Sequence, residues 1–128
     1  MGRAGSVTAR VLIAEDEPNI VESLSFLLKR EGLDVTAVLD GEETLRALQA
    51  DVPDVVILDV MLPSLDGFSI LKQIRADPRL KALRVIVLTA KGQAQDRRTA
   101  EEIGADAFIT KPFSNRDVVE RVRRLAGL

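Results

Sequence analysis

Cysteine and histidine are both missing from the 128 residues, which removes disulfides, thiolate chemistry, imidazole bases and the usual zinc ligands. Any chemistry must use carboxylates, hydroxyls, lysine and metal. Tryptophan and tyrosine are absent too, and four phenylalanines are the only aromatics, so the rings that commonly stack on a flavin are lacking. Neither sign of charge dominates. Eighteen Lys and Arg against 20 Asp and Glu leave a net charge of −2, which argues against a surface built for nucleic acid or lipid. No apolar run approaches the length of a bilayer span, and Met1 to Arg10 lacks the apolar stretch of a secretory signal. The expectations are no direct nucleic-acid contact, no membrane, and the cytoplasm as compartment. Gly-rich phosphate loops of the GxGxxG or GxxxxGK type are also absent, which disfavours a nucleotide site.

What is present fits one globular domain. Hydrophobic residues make up 46% and charged residues 30%, enough apolar material for a single core. Residues 1–9 read as a flexible N-terminal tail and residues 10–128 as the domain. Val/Ile-rich runs at Val11 to Ala14, Val55 to Leu58 and Arg84 to Leu88 are continuous rather than alternating, the mark of parallel strands covered on both faces. Weaker runs at Leu33 to Val38 and Ala107 to Thr110 complete five strands.

Helical stripes lie between them. Ile20, Val21, Leu24, Leu27 and Leu28 form the first, with Pro18 in its opening turn and Gly32 at its end. Asp40 caps a second helix carrying Leu45 and Leu48, and Phe68, Leu71 and Ile74 mark a third that stops before Pro78. Ser114 with Asp117 opens the last, lined by Val118, Val122 and Leu125. The fourth, roughly Ala94 to Ile103, offers only Ala94, Ala100 and Ile103 to a core, so it is read as a weakly packed element able to shift. Strict alternation of strand and helix predicts an α/β fold: a five-stranded parallel sheet in a flavodoxin-like three-layer sandwich, strand order 2-1-3-4-5.

Ligands of such sheets sit outside the carboxyl ends of the strands. There the sequence places Glu15, Asp16 and Glu17 after the first strand, Asp59 after the third, Thr89 after the fourth and Lys111 after the fifth. A single loop acid is commonly no more than solvated charge. Several converging on one rim repel one another unless a cation sits among them, and oxygen ligands suit Mg2+ or Mn2+. Asp59 is then the nucleophile able to form an aspartyl-phosphate. Thr89 can donate its hydroxyl to a phosphoryl oxygen and Lys111 can pair with another, with small Ala90 leaving room beside them. Carboxylate-pair hydrolysis stays open as an alternative, although so short a chain has no obvious substrate cleft.

Four segments, VLIAEDE, VVILDVMLPSLDG, VIVLTAK and GADAFITKPF, resemble, in this order, the CheY-like receiver domain of two-component response regulators. The resemblance implies that Asp59 accepts phosphate from a sensor histidine kinase or phosphotransfer protein. It implies that Asp16 binds the metal directly, Glu15 does so through water, and Met61 lends its backbone carbonyl. It further implies a cis bond between Lys111 and Pro112, and a switch made of Thr89 and Phe108 that alters the face formed by the fourth helix, fifth strand and fifth helix. Phe108 stands where the family often has tyrosine. Met61 and Lys91, two residues beyond Asp59 and Thr89, are taken as gating positions that slow loss of the phosphoryl group.

Relatives that bind DNA commonly pair two copies through the switching face. Asp106, Asp117 and Arg121 fit that pattern, but Ala107 stands where a second acid is usual, so at most a weak homodimer is expected. The leading reading is a stand-alone regulator that catalyses only its own phosphorylation and dephosphorylation and signals to a downstream protein. The alternative is the receiver portion of a longer DNA-binding regulator. A flavodoxin-fold cofactor binder and a degenerate receiver serving as a scaffold rank below these.

Overall fold

A computed structural model describes residues 8–90 and 94–128. Five strands, β1 (Arg10–Ala14), β2 (Asp34–Val38), β3 (Val55–Asp59), β4 (Arg84–Ala90) and β5 (Ala107–Lys111), alternate with five helices. The helices are α1 (Pro18–Arg30), α2 (Gly41–Ala50), α3 (Gly67–Ala76), α4 (Ala94–Ile103) and α5 (Asn115–Leu125). All strand pairs are parallel and the order is β2-β1-β3-β4-β5, as the alternation predicts. Ala9, placed in the tail on sequence, is packed: it is buried and its carbonyl accepts the Asp34 N–H. Residues 1–7 of that tail lie outside the described residues.

The continuous apolar runs are explained by two cores, one on each face of the sheet. Leu12, Val56, Leu58, Val85 and Val87 face Leu48 of α2, Ile70, Leu71 and Ile74 of α3 and Ala100 of α4. Their sequence neighbours Val11, Ile13, Val55, Ile57, Ile86 and Leu88 face Leu24 and Leu28 of α1 and Val118 and Val122 of α5. A strand covered twice cannot spare alternate positions for polar groups. Burying each Leu or Ile contributes about 1.5–3 kcal/mol, whereas a methyl-sized side chain gives about 0.8. Helix α4 buries Ala100 alone, which makes it the least anchored of the five. Ala94, expected in the core, is exposed, because it is the first residue of α4 and the helix first reaches the core at Ala100.

The caps follow the sequence. Asp40, Asp66 and Ser114 each accept a backbone N–H three residues on, at Glu43, Ser69 and Asp117, the N-cap geometry that satisfies orphan helix donors. Gly32 takes a φ of +82° just past α1, where a side chain would be strained.

Gly67 is fixed by contact rather than by dihedral. A Cβ there would lie 2.5 Å from the Asp59 carbonyl oxygen and 2.8 Å from the Val60 Cα, and backbone cannot give way as a side chain can. Gly67→Ala is therefore expected to cost about 1–3 kcal/mol, read as a lower urea midpoint. An unchanged midpoint would show that the α3 start is free to move off β3.

Candidate functional site

Because every strand runs the same way, the carboxyl ends of β1, β3, β4 and β5 open on one rim. Ala14 pairs with Leu58, so Glu15 and Asp59 leave adjacent strands side by side. One carboxylate oxygen each from Glu15, Asp16 and Asp59 lies within 4.8 Å of the others. The three acids expected to converge do so, but they are not equivalent. Glu15 is fully buried and Asp59 is 2% exposed, while Asp16 is exposed to solvent.

Lys111 is the cation of this cluster. Its Nζ sits 2.9 Å from Glu15 Oε1, 3.2 Å from Asp59 Oδ2 and 3.4 Å from Glu17 Oε1. Burial of this ammonium works to lower its pKa, but the hydrogen bond to Glu15 and the charges of Asp59 and Glu15 outweigh it, and Lys111 titrates above its ordinary value. Glu15 is displaced upward as well. Burial raises it more than the hydrogen bonds from Lys111 and the Glu17 N–H lower it, and the nearby Asp59 charge adds to the rise.

Both oxygens of Asp59 are engaged. Oδ1 accepts the Met61 N–H at 3.1 Å and Oδ2 accepts the Lys111 ammonium. Three carboxylates against one nearby ammonium leave the cluster short of positive charge. An all-oxygen donor set with one open, solvent-facing member fits a hard, partly hydrated cation such as Mg2+. The residues thus suit the metal expected from the sequence.

The remaining positions named from sequence are placed as follows. Thr89 is buried at the end of β4, and its hydroxyl donates to Asp96 Oδ2 of α4 at 2.9 Å. Phe108 is half-buried on β5, packed against the core, with the Arg97 guanidinium 5.6 Å from its ring centroid. The Met61 side chain is 75% exposed. The Lys111–Pro112 bond is cis, as the resemblance implied. Lys91 falls among residues 91–93, outside the described residues.

Three residues escaped the sequence reading. Asp96 looked like one charge among several in an exposed helix. Glu17 was counted on the rim but given no role, yet it is a third acid beside Lys111. Arg75 donates to the carbonyls of Gly104, Lys81 and Leu83 and to Asp106 Oδ2. Asp106, counted among residues for pairing two copies, is instead occupied within the chain, since it also accepts the Val85 N–H at 2.8 Å. Asp117 and Arg121 likewise pair with each other, and Arg121 donates to the Phe108 carbonyl.

Comparison with known proteins agrees with this geometry. The family model described as "Response regulator receiver domain" matches residues 11–123. The alkaline phosphatase synthesis transcriptional regulatory protein PhoP of Bacillus subtilis is 41% identical over 116 residues, which is 91% of this chain and 48% of that protein. The chain thus spans about half the length of that relative. Among solved structures, the Francisella response regulator 1452 receiver domain superposes with a TM-score of 0.87 at 32% identity, covering 94% of this chain and 98% of that one. The receiver domain of sensor histidine kinase PA1611 from Pseudomonas aeruginosa, solved with a magnesium ion in its active site cleft, gives 0.86 at 29% identity, covering 95% of this chain and 100% of that one. A rim of acids closed by a lysine, on a 2-1-3-4-5 parallel sheet, therefore goes with the match along the sequence: this chain belongs to the response regulator receiver domains.

Proposed function

We propose that Asp59 is a phosphoryl acceptor served by a sensor histidine kinase or phosphotransfer protein, in a reaction dependent on Mg2+ or Mn2+. The observation that carries this is the convergence of the Glu15, Asp16 and Asp59 oxygens within 4.8 Å, with the Lys111 ammonium 3.2 Å from Asp59. In the transfer an Asp59 carboxylate oxygen forms the new O–P bond as the bond from phosphorus to the donor's leaving atom breaks. A divalent ion, when bound, would offset charge on acceptor and phosphoryl oxygens. Asp16, Asp59, the Met61 backbone carbonyl and, through water, Glu15 are the groups that would hold it.

Lys111 already lies against Asp59 and supplies a fixed positive charge to the phosphoryl oxygens without needing to reorganise. The Met61 N–H on Oδ1 and the Lys111 ammonium on Oδ2 together orient the carboxylate. Thr89 is the hydroxyl available to a phosphoryl oxygen once transfer is complete. The chain's chemistry is confined to its own modification and that modification's loss, and the cytoplasm is its place of work. Met61 carries an exposed, flexible apolar side chain two residues from the acceptor, taken here to hinder water and lengthen the phosphoryl lifetime, with Lys91 as its assumed counterpart.

Output is assigned to the face made by α4, β5 and α5, with Thr89 and Phe108 as its switch. The shallow packing of α4 and the half-buried Phe108 ring support this. Because Asp106, Asp117 and Arg121 are paired internally, self-association through them would have to break existing bonds. A different downstream protein is the favoured partner. The half-length match to PhoP favours a second reading, the receiver part of a longer DNA-binding regulator, which the mass of the protein isolated from its native cell decides.

The acceptor reading is tested by incubating the protein with Mg2+ and a small acyl-phosphate donor and measuring intact mass. One phosphoryl group should be gained, should depend on the metal, and should be removed by hydroxylamine. No uptake, or uptake unaffected by a chelator, would refute it. The same assay, followed after donor removal, reads the lifetime.

A further inference from the structure

A threonine hydroxyl has one proton to donate. In this structure the Thr89 proton goes to Asp96 Oδ2, 2.9 Å away, so it is not available to a phosphoryl oxygen on Asp59. We propose that Asp96 is a positioning residue that competes with the phosphoryl group for the Thr89 hydroxyl, so that occupancy of Asp59 is coupled to release of the first turn of α4. The inference rests on the acceptor reading of Asp59 and adds a residue and an opposing contact to it.

Three observations support the assignment. Thr89 is 1% exposed, so water is a poor substitute partner and its hydroxyl must find an acceptor within the protein. Asp96 stands in the first turn of α4, where the helix dipole favours a negative charge. The next residue, Arg97, lies over the Phe108 ring. One turn of one helix thus touches both members of the proposed switch, and that helix gives the core one fully buried residue, Ala100, with Ile103 packed partly buried at its far end.

The two arrangements exclude each other. With Asp59 unmodified, the Thr89–Asp96 bond holds the start of α4 against the rim. With a phosphoryl group present, Thr89 turns its proton to the new oxygens and Asp96 loses its only described side-chain partner on β4. Whatever favours the first state lowers affinity for the second by the same factor. A bond from a hydroxyl to a partly exposed carboxylate is worth about tenfold in such an equilibrium.

The test uses beryllofluoride with Mg2+, a mimic of the phosphoryl group on a carboxylate, titrated by calorimetry and by amide NMR at Phe108. Asp96→Ala should take up the mimic about tenfold more tightly than the parent. Asp96→Asn, which keeps an acceptor oxygen but no charge, should fall between the two. In a Thr89→Ala background, Asp96→Ala should change affinity by less than about twofold.

An Asp96→Ala gain that persists without the Thr89 hydroxyl, or an Asp96→Asn gain as large as that of Asp96→Ala, would mean that only charge had been removed, and would overturn the latch. Equal affinity of parent and Asp96→Ala would overturn it too. Binding of the mimic to Asp59→Asn as strongly as to the parent would sink the acceptor assignment itself, and the latch with it. In that case the Asp96 result alone is not what decides.

Discussion

Asp59→Asn is expected to abolish phosphoryl uptake while leaving the fold intact. The amide has nearly the same shape and still accepts the Met61 N–H through Oδ1, but it carries no charge and makes no acyl phosphate. The substitution falls at a position 2% exposed, beside a second buried acid, so removing the charge relieves repulsion with Glu15 as it weakens the bond to Lys111. These effects oppose each other, and the thermal midpoint should move by only a few degrees. Metal affinity should fall at least about tenfold, because one unit charge at ~4 Å is worth ~1 kcal/mol in water and up to ~4 where the effective dielectric is near 20. Intact mass with the small donor, circular dichroism and a Mg2+ titration check the three parts. Labelling that survives the substitution would place the acceptor elsewhere.

Lys111→Met is the harsher change. It removes the ammonium shared by Glu15, which is fully buried, and Asp59, whose side chain is 3% exposed. Taking one partner from a buried charge cluster costs about 3–5 kcal/mol, and the lower figure applies because Lys111 is itself partly exposed. Without metal the variant should therefore lose about 3 kcal/mol in urea unfolding, and saturating Mg2+ should return most of it by binding the folded state alone. Phosphoryl uptake should drop about 100-fold, the usual effect of deleting one preorganised group at a developing charge.

The loss also has a defined pH dependence. Burial raises the Glu15 carboxyl, and the Lys111 hydrogen bond is the largest influence holding it down. A carboxyl whose folded value lies above its unfolded one costs stability at high pH, and that cost disappears as pH falls through the raised value toward the ordinary carboxylate range. The metal-free variant should thus recover stability relative to the parent on acidification through that window. A deficit independent of pH would mean that Glu15 is not the group left uncompensated.

How far the sequence alone could go depended on whether a feature was local. The unbroken apolar runs at Val55 to Leu58 and Arg84 to Leu88 state the burial of both sheet faces directly, and alternation with amphipathic helices then sets the direction of every strand. Once all strands run one way, Asp59, Thr89 and Lys111 fall on one rim without any tertiary information. What spacing could not show was the difference between adjacent acids. Glu15 and Asp16 are neighbours in a loop, yet one is sealed against Lys111 and the other faces solvent.

Asp96 was hidden for a related reason. In QAQDRRTAEEI it reads as solvated charge, and its importance comes from the hydroxyl seven residues earlier. A helix-opening acid soon after a strand ending in threonine was the only available signal. Arg75 had none at all, because its four acceptors come from two segments that approach α3 only after folding.

That arginine sets the mechanics of α4. Its guanidinium joins the end of α3 to Gly104 and Asp106 on one side and to Lys81 and Leu83 on the other, so the tail of α4 is stapled, while among the described residues its head is held by the Thr89–Asp96 bond and the Arg97–Phe108 contact. A rod fastened at one end moves most at the other. Ten residues of helix span about 15 Å, so a tilt of about 10° about the stapled corner carries the head roughly 2.5 Å. In the proposed switch the greatest travel would fall at the turn bearing Asp96 and Arg97, and a small event at Asp59 would reach the outer surface of α4 enlarged.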